Sequence, residues 1–278
     1  MDRSKTIPVA GGKVHIGGKA PAVLIAGPCV IESEEQTLGI AGALKKISID
    51  CQVDIIFKAS FDKANRTSLQ SFRGIGMEKG LDILREVRKR YDLPVLSDVH
   101  EPGQVEKCAA VLDVIQIPAL LCRQTDLLTE AGATGKAINV KKGQFLSPWD
   151  MAYVVEKIVK TGNEHILLTE RGTSFGYGNL VVDFRSFSIL RTFGFPVIFD
   201  VTHSVQLPGG GRSSRGEADF IPDLARAAAA SGVDAFFMEV YRDGTTPLCD
   251  ADNSYTLSAL ATLLPDLLHI GSLIRKTG

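Results

Sequence analysis

Val53-Asp54-Ile55-Ile56-Phe57-Lys58-Ala59-Ser60-Phe61-Asp62-Lys63-Ala64-Asn65-Arg66-Thr67-Ser68 begins as a short apolar run and turns polar at Lys58. An apolar run without strict alternation fits a strand buried on both faces, as in a parallel sheet. The polar residues that follow place Lys58, Lys63 and Arg66 among Ser60, Asn65, Thr67 and Ser68. Cations supply charge and small hydroxyls and amides supply directional hydrogen bonds, a combination suited to phosphate or carboxylate oxygens. A solvated basic loop has the same composition. The unit is therefore a buried strand with polar chemistry at its C-terminal end.

That unit recurs along the chain. Strands are expected at Ala22–Ala26, Val53–Lys58, Pro94–Ser97, Val114–Ile117, Ala137–Lys141, Ile166–Thr169, Pro196–Phe199 and Ala235–Glu239. Amphipathic helices are expected between them, at Glu34–Ile47, Met77–Tyr91, Pro102–Val111, Gln124–Gly132, Pro148–Lys160, Phe184–Thr192, Glu217–Ser231 and Ser254–Arg275. Ser147-Pro148 and Asp252 to Ser254 supply helix starts. Eight strand–helix units without a linker or composition break predict one α/β domain over residues 1–278, a (β/α)₈ TIM barrel. Residues 1–20, with paired glycines around Lys13-Val14-His15-Ile16, predict a short N-terminal β-hairpin covering one end. An open doubly wound sheet is the alternative, but Gly27-Pro28-Cys29 does not match its dinucleotide-binding fingerprint.

Composition narrows the function classes. Over 278 residues, 31 cations balance 32 acids, so no global basic field exists to attract nucleic acid. Any anion site must be a local gathering of cations. Five scattered cysteines without a CxxC pair argue against a disulfide framework and for a reducing compartment. The polar, Gly-rich N-terminus and the lack of an apolar run near ~18 residues predict no leader, no membrane span and a cytoplasmic location.

In a barrel the chemistry gathers where strands end. Reading those ends yields a cationic set, Lys58, Lys63, Arg66, Arg123, Lys141 and Arg171. So many cations at one mouth would repel one another unless a polyanion, such as two phosphates or a phosphate and a carboxylate, is bound. A second set is Cys29, His203, Glu239 and Asp250, from the first, seventh and eighth units. Thiolate, imidazole and carboxylates suit a divalent metal such as Zn²⁺, Fe²⁺ or Mn²⁺, and barrel closure would make the first and eighth strands neighbours. Each has an alternative: Cys29 as a small core residue, His203 as an acid–base or phosphate donor, Glu239 as partner to a cation. Asp98 and His100 read as supporting residues, Cys51, Cys108, Cys122 and Cys249 as structural, and Trp149 as packing. The Gly-rich 207–216 segment, with Arg212 and Arg215, reads as a linker or as a lid over a phosphorylated substrate.

Taken together, Ala26-Gly27-Pro28-Cys29, Phe57 to Arg66, Asp98-Val99-His100-Glu101, Gln116-Ile117-Pro118-Ala119, Cys122 to Asp126, Asn139 to Phe145, Thr169 to Gly172, Phe175-Gly176-Tyr177 and Phe199 to Gly210 resemble the 3-deoxy-D-manno-octulosonate 8-phosphate synthase family. The likeness runs in order from about Val23 to Asp250. It implies condensation of phosphoenolpyruvate with arabinose 5-phosphate and water, releasing phosphate, in lipopolysaccharide sugar synthesis. It also implies a barrel that is usually a homotetramer. Carried onto this chain, Lys58, Ser60, Lys63, Gln116, Ala119, Lys141, Arg171 and His203 surround phosphoenolpyruvate. Asn65, Arg66 and Thr67 hold the sugar phosphate, and Arg123 reaches in from a neighbouring subunit. Cys29 implies the metal-dependent class, with His203, Glu239 and Asp250 as co-ligands; Lys58, Lys63, Lys141, His203 and Asp250 are the residues expected at the reacting centre.

Three positions depart from the pattern: Thr67 replaces a usual Ser, Val240-Tyr241 replaces a His-Pro pair after Glu239, and the 212–215 loop is altered. The nearest rival condenses phosphoenolpyruvate with erythrose 4-phosphate, but its second loop typically reads Lys-Pro-Arg-Thr where this chain has Lys63-Ala64-Asn65-Arg66. A non-catalytic sugar-phosphate-binding barrel would predict a broken ligand set.

Overall fold

Eight parallel strands pair in sequential order and close on themselves in the computed structural model, which describes residues 4–66, 68–207 and 215–277. They are β1 (Val23–Gly27), β2 (Ile55–Lys58), β3 (Val95–Asp98), β4 (Val114–Ile117), β5 (Ala137–Lys141), β6 (Ile166–Glu170), β7 (Val197–Asp200) and β8 (Ala235–Tyr241). β8 pairs with both β7 and β1, so the predicted (β/α)₈ barrel is what forms. β8 runs past Glu239 because Val240 and Tyr241 pair in parallel with Tyr255 and Thr256. A proline at the position of Tyr241 would have no N–H for such a ladder, which gives the departure from His-Pro a structural consequence.

The helices are α1 (Glu34–Cys51), α2 (Met77–Tyr91), α3 (Pro102–Ala109), α4 (Thr125–Ala133), α5 (Met151–Val159), α6 (Arg185–Arg191), α7 (Ile221–Ala230) and α8 (Leu257–Thr277). Ser33 caps α1 by accepting from Gln36 N. Two expected helices begin instead with a 3₁₀ turn, Pro148–Asp150 before α5 and Ala218–Phe220 before α7. α8 starts at Leu257, later than Ser254, because Tyr255–Thr256 is extended. One short helix, Val201–Ser204, was not anticipated by periodicity; four residues are too few to show one.

Burial follows the two-faced strands. Leu24, Ala26, Ile55 and Phe57 pack outward against the helices in the large core cluster. Val23, Ile25, Ile56, Leu96 and Val114 pack inward, where Ile7, Val9, Val14 and Ile16 join them. Those last four belong to the antiparallel hairpin Ile7–Val9/Val14–Ile16, which plugs the N-terminal end of the barrel as expected. At the other end β1 and β2 approach so closely that a Cβ on Gly27 would lie 1.9 Å from the Lys58 carbonyl oxygen. Only glycine fits there.

Leu257–Arg275 is long and apolar enough to cross a membrane by length and composition, which corrects the expectation that no segment reaches that limit. In this fold Leu260, Leu263, Leu264 and Leu267 of that helix are buried in the core instead.

Candidate active site

A cavity of about 370 Å³ opens at the C-terminal ends of the strands. Lys63, Asn65 and Arg66 from the β2 loop meet Gln116 of β4, Ala119, Lys141 of β5 and Arg171 after β6 on its wall. His203, Glu239 and Asp250 line the same space. The hairpin closes the opposite end, so the strand ends are where polar side chains can be both held and reached.

At the β1–β2–β8 junction, Lys58 is fully buried and donates to Glu239 Oε1 at 2.5 Å, Cys29 O at 2.7 Å and Pro28 O at 3.3 Å. Its three protons are all engaged. Burial lowers the Lys58 pKa to about 8, against the pull of Glu239, which favours the charge. Lys63 lies 3.5 Å from the same carboxylate oxygen. Burial would lower its pKa too, but Glu239, Asp98 and Asp250 outweigh that and hold it above the ordinary lysine value. Lys58 and Ser60, both expected against substrate, are buried and do not line the cavity.

The one-turn helix after β7 places the imidazole. Asp200 caps it by accepting from His203 N at 3.0 Å, and its carboxylate also meets His203 Nδ1 at 2.9 Å. A carboxylate on Nδ1 favours the tautomer that leaves Nε2 with a lone pair. His203 Nε2 lies 3.6 Å from Glu239 Oε2, an oxygen that is buried and has no hydrogen-bond partner. Asp200 also accepts from Lys141 Nζ at 2.5 Å, while Lys141 sits 3.5 Å over the Phe237 ring. Burial would raise the Asp200 pKa, but His203 and Lys141 hold it below the usual carboxylate range.

The four residues expected to bind metal, Cys29, His203, Glu239 and Asp250, divide among the described residues into two groups that share Asp250: His203, Glu239 and Asp250, and Cys29 and Asp250 joined by Cys249, which was not among those expected. Within each group the candidate ligand atoms lie within 4.8 Å of one another. Imidazole, thiolate and carboxylates with an orphaned buried oxygen on Glu239 fit a first-row divalent ion. Cys29 Sγ lies 3.2 Å from Asp250 Oδ2 and is bonded to Cys249 Sγ as a disulfide. This corrects the expectation that the cysteines form no disulfide, and it brings Cys249, expected to be structural, to the edge of the site. The β8–α8 loop folds back over the mouth, with Asp250 in the left-handed region at φ 50°, and brings Cys249 to Cys29 across 220 residues. A sulfur bonded to sulfur cannot ligate as a thiolate, so metal binding requires the reduced pair.

The mouth is less cationic than its lysines and arginines implied. Acids interleave: Glu239 faces Lys58 and Lys63, Asp250 faces Arg66 at 3.5 Å, and Asp200 faces Lys141. Arg171 differs. It is buried, donates from Nη2 to the neutral Gln206 Oε1 at 2.9 Å, and leaves Nη1 without a partner. Asn65 is exposed and lines the cavity, Gln116 accepts from Asn139 Nδ2 at 2.9 Å, and Arg123 is exposed away from the cavity wall. Thr67 and Arg212 lie outside the described residues; the flanks of the Gly-rich segment, Gln206–Leu207 and Arg215–Gly216, pair antiparallel. Trp149 is exposed, not packed.

Four residues of the site carry more than the sequence reading gave them. Asp200 could have been found from its spacing three before His203, a capping distance. Asp98 and His100, read as supporting residues, line the cavity themselves, with His100 Nε2 3.0 Å from Asp98 Oδ2. Cys249 carried no local signal.

Comparison with known proteins gives consistent matches. Residues 4–275 match the model of the DAHP synthetase I family. A 2-dehydro-3-deoxyphosphooctonate aldolase of Desulfatibacillum aliphaticivorans is 61% identical over 261 residues, covering 94% of this chain and 96% of that protein. The protein of the same name from Geobacter sulfurreducens is 56% identical over 276 residues, 99% of this chain and 100% of its own. That of Trichlorobacter lovleyi is 57% identical over 265 residues, 95% of this chain and 97% of its own. With the barrel, the strand-end cavity and near full-length identity in agreement, the chain belongs to the DAHP synthetase I family, among its 2-dehydro-3-deoxyphosphooctonate aldolases.

Proposed function

We propose that this chain condenses phosphoenolpyruvate with arabinose 5-phosphate and water to give 3-deoxy-D-manno-octulosonate 8-phosphate and inorganic phosphate, a step in lipopolysaccharide sugar synthesis. The observation that carries the reading is the meeting, in one cavity, of Arg171, whose Nη1 has no partner among the described residues, and Lys141 with His203, Glu239 and Asp250. The first pair suits a phosphate or carboxylate, and the second group suits a metal beside an aldehyde.

Both substrates are anionic, so the cations of the cavity offset their repulsion and fix their approach. Lys141, Arg171 and Lys63 hold phosphoenolpyruvate, with Gln116 and Ala119 at its side. Asn65, Arg66 and Thr67 take the sugar phosphate, and Arg123 comes from a neighbouring subunit of a homotetramer. C3 of phosphoenolpyruvate attacks the aldehyde carbon, water adds at C2, and the tetrahedral centre expels phosphate by C–O cleavage. Lys58, with its three protons donated, acts as a fixed charge under Glu239 and not as a nucleophile. Asp200 orients His203. A divalent metal held by Cys29, His203, Glu239 and Asp250 would, when bound, supply a Lewis acid at the aldehyde or the water. We place the enzyme in the cytoplasm, where glutathione and thioredoxin systems keep Cys29 reduced.

The test is phosphate release from phosphoenolpyruvate with arabinose 5-phosphate or erythrose 4-phosphate, before and after chelation and metal return under reductant. Turnover with the five-carbon aldose, lost to chelator and restored by a divalent ion, is the expected result. Preference for the four-carbon aldose would transfer the chain to the rival reaction. Full activity after thorough metal removal would leave Cys29 a core residue.

A further inference from the structure

The mechanism above leaves Lys142 unused, although it directly follows Lys141 at the end of β5. It is completely buried and does not reach the cavity. Its Nζ is ringed by oxygens: Thr173 Oγ1 at 3.0 Å, Leu146 O at 3.3 Å, and Gly143 O, Gly172 O and Glu170 Oε1 at 3.4 Å. These belong to two loops, the one after β5 and the one after β6. The loops are also tied by Ser174 N donating to Gln144 O at 2.9 Å.

Glu170 does the complementary work. Its Oε1 accepts from the backbone N–H of Arg171 at 2.9 Å and of Gly172 at 2.7 Å. The carboxylate thus fixes the turn that carries Arg171, at a point where Gly172 adopts φ +93°. Glu170 is 1% exposed, and in the interior its Oε1 faces Lys142 and those two amides while Oε2 has no partner among the described residues. Among the described residues Gln206 alone bonds the tip of Arg171, and Nη1, without a partner there, is the donor left for a ligand. A long guanidinium with one neutral tether relies on its backbone for aim.

We propose that Lys142 and Glu170 are positioning residues that hold the Arg171 turn, and hence its guanidinium, in register for a phosphate group in the cavity. The proposal rests on the reading that Arg171 binds the phosphate of phosphoenolpyruvate. Neither residue touches substrate; they act through the loop.

Lys142→Met keeps the length of the side chain and removes its charge. Its KM for phosphoenolpyruvate should rise about tenfold or more, with KM for arabinose 5-phosphate within about twofold of wild type. Calorimetry with inorganic phosphate and with phosphoenolpyruvate should show the same weakening. In an Arg171→Ala background, Lys142→Met should weaken binding no further, because the residue it aims is gone. Should Lys142→Met fail to fold, Thr173→Val removes the shortest contact and should raise the same KM about two- to threefold. Unchanged phosphate affinity in a folded variant, or losses that add to those of Arg171→Ala, would overturn the proposal. So would a Thr173→Val enzyme indistinguishable from wild type when Lys142→Met does not fold. Wild-type phosphate release is measured alongside. If the wild type turned nothing over while Lys142→Met still weakened inorganic phosphate binding, the condensation reading would fall and the positioning role would stand.

Discussion

Asp98 and His100 show how far one contact can move a proton. Burial by itself would lower the imidazole pKa, yet the Asp98 carboxylate raises it above the usual 6.5, and Asp98 is held below its ordinary range in return. His100 therefore carries its charge further into neutral pH than an exposed histidine. A folded pKa above the unfolded one contributes stability that is complete below 6.5 and lost as pH rises through the folded value. An NMR titration should place the His100 midpoint above 6.5, and Asp98→Asn should bring it below that value. The variant should also lose the decline in stability over that window, at about 1.4 kcal/mol per unit of lost shift. A midpoint unmoved by Asp98→Asn would mean that another group charges the ring.

Among elements, α8 carries the clearest energetic claim. It is mostly apolar, contains Pro265, and buries Leu260, Leu263, Leu264 and Leu267 in the shared core. Leu264 is fully buried, so Leu264→Ala should cost about 2–5 kcal/mol in urea unfolding, from lost transfer energy plus the cavity left behind. A cost below about 0.5 kcal/mol would place this helix elsewhere than on the barrel. Much of this level was legible in the sequence. β4 and β5 fall on the expected residues because a buried parallel strand is a local apolar run. The short Val201–Ser204 helix was not legible, since its one signal is the Asp200 cap.

For the whole molecule, the surface around the β4, β5 and β6 loops is the feature a single copy does not explain. Leu120, Phe145, Phe175 and Tyr177 are exposed there, with Trp149 and Tyr153 exposed at the start of α5, and the loops touch: Gly143 packs against Phe145 and the Ala119 carbonyl, and Gln144 bonds Ser174. Exposed aromatics grouped in this way mark an interaction surface. Arg123, also exposed, lies in the β4 loop beside Leu120, which is consistent with a residue delivered to a neighbour's site. Light scattering should find wild-type tetramers, and Trp149→Ser with Tyr177→Ser should dissociate them. The dissociated variant should keep phosphoenolpyruvate binding while KM for arabinose 5-phosphate rises about tenfold. A monomeric wild type would remove Arg123 from the site.

By itself the sequence determined the repeating unit, the barrel it builds, the plugging hairpin and the end of each strand where chemistry gathers. All of these follow from short-range patterns: apolar runs, helix periodicity and the polar residue that ends a strand. Tertiary structure alone decided which strand-end groups meet. Closure set Glu239 against Lys58, Asp200 against Lys141 and Cys249 against Cys29, turning most of the expected cluster of free cations into charge pairs, while among the described residues Arg171 Nη1 stays buried without a partner. The reason is physical. Electrostatic partners are chosen by distance through space at the barrel mouth, and residues far apart along the chain leave no trace of that distance in their order.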